Sequence, residues 1–134
     1  MNGKVPNTLP KQERLCGKKT IERLLAKGRH GSVGPLRYIC LSDNGEEFCR
    51  IMVSVPKKLF KRAVKRNLLK RRIRESWRRL KHTLVYPEQG MDILFIYSTK
   101  EVMTYKEIYS HVGNMINRLN ESRAKQTKHE AVSE

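Results

Sequence analysis

Apolar residues in the middle of the chain return at steps of three and four. From about residue 59 onward, Leu69, Ile73, Trp77, Leu80 and Leu84 fall on one stripe, which predicts a long amphipathic helix with that stripe against a core. Upstream the period changes to two. Over residues 48–55, Cys49, Ile51, Val53 and Val55 alternate with Phe48, Arg50, Met52 and Ser54, which predicts a half-buried strand with the first set facing the core. A companion strand is expected at about 36–42, joined to it by a hairpin turn at Asn44-Gly45, and a short strand near 29–33 precedes both. In that register Arg37, Ile39 and Leu41 share the second face with Arg50, giving a mixed apolar and basic surface suited to a single strand of nucleic acid. Pro56 ends the strand, and Tyr86-Pro87 and Gly90 break the long helix. Residues 91–97, MDILFIY, have almost no polar interruption and belong inside the sheet.

The flanks follow the same logic. A first helix is expected at about 18–27, closed by Gly28 as a left-handed cap, with Ile21, Leu24 and Leu25 toward the sheet. A last helix starts in a capping box made by Thr104 and Glu107 and runs to about Leu119, with Ile108, Val112, Met115, Ile116 and Leu119 as its stripe. Residues 1–12, which include Pro6 and Pro10, are expected to be a flexible leader; 13–119 one folded domain; 120–134, polar and without a stripe, a disordered tail. The order is α-β-β-β-α-β-α, an α/β two-layer sandwich on a single mixed sheet.

Charge sharpens this picture. The formal net charge is +16, and residues 57–81 alone hold thirteen Lys and Arg against one acid, Glu75, so that segment carries +12. Folding gains nothing from crowding like charges, so the expected partner is a polyanion. On the long helix Asn67, Lys70, Arg71, Arg74 and Arg78 recur on one face, with Arg66 at its edge, as a row of donors about one turn apart that suits phosphates. Solvated charged faces usually mix signs; this one has only Glu75, read as an internal partner for Arg71, Arg78 or Arg79.

Other classes fall away. No apolar run approaches a membrane span of about eighteen residues and the N-terminus lacks an apolar signal segment, so no membrane is expected and the cytoplasm is the default. Cys16, Cys40 and Cys49 have no metal-type spacing with His30, His82, His111 or His129, and their odd number argues against a disulfide framework, although the expected hairpin would set Cys40 opposite Cys49. There is no nucleophile motif and no phosphate-cradling Gly loop, so no active site is expected in the chain itself. DNA is not expected either, because no short helix and tight turn precede the basic helix.

The run KRAVKRNLLKRRIRESWR resembles the arginine-rich signature helix of the protein subunit of bacterial ribonuclease P. The shared order is Arg-Asn, two residues, Lys-Arg, two residues, Arg-Glu, which here is Arg66, Asn67, Lys70, Arg71, Arg74 and Glu75, and the resemblance extends from about residue 9 to 119. It implies a subunit that binds a catalytic RNA, one protein per RNA, and supports hydrolytic removal of the 5′ leader of precursor tRNA, with Mg2+ on the RNA and substrate. It assigns the helical row, Arg66, Asn67, Lys70, Arg71, Arg74 and Arg78, to the catalytic RNA. Lys57, Lys58 and Arg62 go to the leader, beside a cleft lined by the positions of Ile21 and Leu25, with Arg37 and Arg50 on the adjoining sheet face. The family commonly has Phe at both cleft positions, so the aliphatic pair here departs from it, and Lys61 stands where many relatives have Gly. The resemblance also implies a left-handed βαβ crossover, as in a small-subunit ribosomal protein domain, against the general right-handed rule. The alternative is a structural RNA-binding or ribosomal protein of related fold without enzymatic assembly.

Overall fold

The elements follow one another as α1 (Lys18–Lys27), β1 (Arg29–Val33), β2 (Leu36–Ser42), β3 (Arg50–Ser54), α2 (Ala63–Leu80), a 3-10 turn (Lys81–Thr83), β4 (Met91–Tyr97) and α3 (Tyr105–Val132). This computed structural model describes residues 18–42, 49–84 and 90–132, with side chains as far as Glu121. The expected leader, Cys16, the Asn44-Gly45 turn, Phe48 and Tyr86-Pro87 lie outside the described residues. The α-β-β-β-α-β-α order and the single mixed sheet are those expected from the sequence.

The strand order corrects one expectation. The sheet runs β1-β2-β4-β3, so β2 and β3 are not hairpin neighbours. Strand β4 lies between them, antiparallel to β2 from Leu36↔Tyr97 to Ser42↔Met91 and parallel to β3 from Arg50↔Asp92 to Ser54↔Ile96. The reason is burial: a strand apolar on both faces gains most in the middle of a sheet, and the alternating strands gain less there. The hairpin is instead β1-β2, which turns at Gly34-Pro35 with Gly34 at φ 58°, a conformation that costs glycine little. With β4 interposed, Cys40 and Cys49 are not cross-strand neighbours. Cys40 is in the core, where burial pushes its thiol pKa up and leaves it a poor nucleophile.

Two apolar clusters hold the layers together. On one sheet face Leu69, Ile73 and Trp77 of α2 and Ile108, Val112, Met115 and Ile116 of α3 pack against Ile51, Val53, Ile93, Phe95 and Tyr97. The Trp77 and Phe95 rings meet edge to face, with centroids 5.9 Å apart. On the other face Leu24 of α1 covers Ile39 and Leu94. Gly28 does close α1, donating its N–H to the Leu24 carbonyl at 2.8 Å, but not through a left-handed backbone. Glycine is required for space, since a Cβ would lie 2.5 Å from Ile39 Cγ2 and from that same carbonyl.

Helix boundaries differ at two ends. Helix α2 starts at Ala63 rather than near residue 59, because Leu59 N–H closes a turn on the Pro56 carbonyl at 3.1 Å and Phe60 turns inward onto Tyr97. Helix α3 begins in the expected box, with Glu107 N–H donating to Thr104 Oγ1 at 3.2 Å, but continues past Leu119 to Val132. Residues 120–132 hold no Gly or Pro and several good helix formers, so the helix propagates on backbone preference where no apolar stripe exists.

Candidate nucleic-acid interface

Helix α2 buries its stripe and turns its charges outward. Asn67, Arg71 and Arg74 are exposed and Lys70 is half-buried, and among the described residues no hydrogen bond or ion pair holds the Lys70, Arg71 and Arg74 side chains. The two ends of the row behave differently. Arg66 donates to the Phe60 carbonyl at 2.7 Å and the Lys61 carbonyl at 2.8 Å, pinning the turn that leads into the helix. Arg78 forms a forked pair with Glu75, its Nε 2.9 Å from Oε2, and Arg79 Nε reaches Glu75 Oε1 at 3.0 Å. Hydrogen bonds from Arg78 and then Arg79 lower the Glu75 pKa to about 2. Arg71 is thus not a Glu75 partner. Arg72, which carried no sequence assignment, donates to the Met103 carbonyl at 2.5 Å and ties α2 to the start of α3.

A second apolar surface lies on the other layer. Beside α1 the sheet presents Leu41, Met52 and Ile96, each only partly buried. Leu24 takes the buried position under α1, leaving Ile21 half-buried and Leu25 50% exposed at the margin. Arg37 is exposed on the same face, opposite Ile96. Lys57, Lys58 and Arg62 are exposed on the segment between β3 and α2. The mixed face foreseen from the alternation therefore exists, but with Asp92, Leu94 and Ile96 of β4 set between its two halves.

Arg50 is less available than its sequence reading implied. Its Nε and Nη2 pair with Asp92 Oδ1 and Oδ2 at 2.8 and 2.9 Å, and Asp92 is 2% exposed. The signal for this pair was present: a lone carboxylate inside an apolar strand needs a cationic partner. What the sequence lacked was the parallel register that brings Arg50 to it.

Among the described residues no group of three or more His, Cys, Asp or Glu side chains could hold a metal ion, and no helix is long and apolar enough to cross a membrane. A basic helix on one layer and a partly open apolar face on the other give a small α/β protein with the electrostatic footprint of nucleic-acid binders. The family model of ribonuclease P matches residues 9–120. The ribonuclease P protein component of Porphyromonas gingivalis strain ATCC 33277 is 34% identical over 110 residues, covering 81% of this chain and 69% of that protein. The protein of strain W83 matches equally. Among solved structures, a Staphylococcus aureus RNase P protein mutant with defective mRNA degradation activity superposes with a TM-score of 0.69 at 26% identity, over 80% of this chain and 87% of that one. The Thermotoga maritima RNase P protein gives 0.68 at 24% identity, over 79% and 96%. The chain belongs to the bacterial ribonuclease P protein family and is a protein subunit of that enzyme.

Proposed function

We propose that this subunit uses its two layers for two RNA partners. The α2 row of Asn67, Lys70, Arg71 and Arg74 engages the ribonuclease P RNA, and the groove beside α1, with Lys57, Lys58, Arg62 and Arg37, holds the 5′ leader of precursor tRNA. The observation that carries the reading is the separation of the unpaired cations of α2 from the apolar groove by the thickness of the sheet. Catalysis lies with the RNA subunit, where Mg2+ on RNA and substrate supplies Lewis-acid chemistry for phosphodiester hydrolysis. This chain's residues neutralise phosphates and hold the leader, one protein per RNA, in the cytoplasm. With Ile21 and Leu25 aliphatic, the groove grips by apolar contact and charge rather than by stacking.

Two sets of variants test this, measured as affinity for the RNA subunit and for precursor tRNA bound to the holoenzyme. Lys70→Ala with Arg74→Ala should weaken assembly by about 1–3 kcal/mol, and excess protein should restore cleavage. Lys57→Ala, Lys58→Ala and Leu25→Ala together should leave assembly near normal and lower affinity only for substrates with leaders of several nucleotides. Equal losses for long and one-nucleotide leaders would show the groove to be misplaced.

A further inference from the structure

The cations between β3 and α2 are only as well placed as the backbone that carries them. Residues 57–66 contain Lys57, Lys58, Lys61, Arg62, Lys65 and Arg66 and no acid, so the stretch repels itself and forms no ion pair of its own. Two anchors hold the half nearer β3. Leu59 N–H closes on the Pro56 carbonyl at 3.1 Å, and Phe60, 7% exposed, sets its ring against Tyr97 with centroids 5.8 Å apart. Toward α2 the usual fastening is missing: Arg62 stands at the N-cap with no side-chain hydrogen bond, and the first turn holds no acid.

Arg66 supplies the anchor on that side. Its Nη1 donates to the Phe60 carbonyl at 2.7 Å and to the Lys61 carbonyl at 2.8 Å. Both carbonyls lie in the chain between Lys58 and Arg62, so one guanidinium sets the course of the backbone that presents these two exposed cations. Helix side chains lean toward the N-terminus, which gives Arg66 this reach. A cation so near a helix start faces the positive end of the helix dipole, and the two carbonyls offset that cost. Nε and Nη2 have no partner among the described residues, so a direct phosphate contact is the competing role.

We infer that Arg66 is a positioning residue of the leader site. It acts on the leader through Lys58 and Arg62, whose backbone it holds, and not as one more phosphate contact of the α2 row. The inference rests on the reading that Lys57, Lys58 and Arg62 bind the 5′ leader.

The test uses the full chain with the cognate RNA subunit, at protein concentrations that saturate the RNA so that a loss of assembly does not enter. The quantity read is the ratio of affinities for precursor tRNAs with leaders of several nucleotides and of one. Arg66→Ala should lower that ratio roughly fivefold. Arg66→Lys keeps the charge without the planar fork and should lower it as well. Lys58→Ala with Arg62→Ala should lower the ratio too, and adding Arg66→Ala to that pair should lower it little further, because a residue acting through others loses its effect once they are gone. Additive losses would overturn the inference, and so would a ratio within twofold of the parent for either Arg66 variant. If Arg66→Ala melts below the assay temperature, Arg66→Lys takes its place in the cycle. The two readings fail separately: if the Lys58 and Arg62 pair lowers the ratio and Arg66 adds to it in full, positioning fails and the leader site stands; if the pair leaves the ratio unchanged, both fail.

Discussion

A guanidinium can offer its donors to a phosphate only where carbonyls and carboxylates have not taken them first. By that measure Arg66, Arg78 and Arg50 differ from Lys70, Arg71 and Arg74, although composition makes them equivalent. Arg66 spends one nitrogen on two backbone carbonyls, so replacing it would disturb the turn into α2 as well as any RNA contact. That is why Lys70 and Arg74 make the cleaner test. Glu75 shows the same economy from the acid side. Its folded-state pKa, about 2, lies below its ordinary 4.5, so the contribution of the Arg78–Glu75–Arg79 cluster to stability is complete above about pH 4.5 and is lost as pH falls through 2. A carbon-detected NMR titration of the carboxyl should show its inflection near 2; an inflection near 4.5 would mean that the cluster does not persist in solution. Glu75→Gln should lower stability above about pH 4.5 and change it little near pH 2, where the carboxyl of the parent is itself becoming neutral.

Elements were legible where their signal is local. The stripes of α2 and α3 and the Thr104–Glu107 box depend on neighbours within two turns, and each is found where the periodicity puts it. The β2–β3 pairing was misread because Asn44-Gly45 is a local turn signal, whereas the neighbours of β2 are decided by a strand that arrives some fifty residues after it. The burial of Met91–Tyr97 on both sheet faces, with only Ile96 partly open, was legible, and its position between β2 and β3 was not. The Arg50–Asp92 bridge was hidden with it. This bridge spans the paired positions of the parallel β3–β4 register, so Arg50→Ala, which removes the forked cationic partner of a buried carboxylate, should destabilise the fold by roughly 2–4 kcal/mol. Changing both residues to apolar ones of similar volume should cost much less. Denaturant titrations of the single and double variants decide this, and additive losses would show that the bridge contributes no coupling. The charge on α2 was fully legible, whereas the split of its row into engaged and available cations needed coordinates.

For the molecule as a whole, charge dominates behaviour in solution. With about six phosphates engaged across α2 and the segment before it, RNA affinity should fall very roughly a thousandfold between about 50 and 200 mM monovalent salt, and a flat response would contradict electrostatic docking. The sheet order carries a different consequence, one for biosynthesis. The central strand, β4, is translated last of the four, so β2 and β3 leave the ribosome without the neighbour they share. Until Met91–Tyr97 has emerged, the apolar stripe of α2 has an incomplete sheet to pack on, while its cations are already exposed beside ribosomal RNA. Completion of one seven-residue strand is thus the step that gives the basic segment a whole sheet to fold against, after its charges have already left the ribosome.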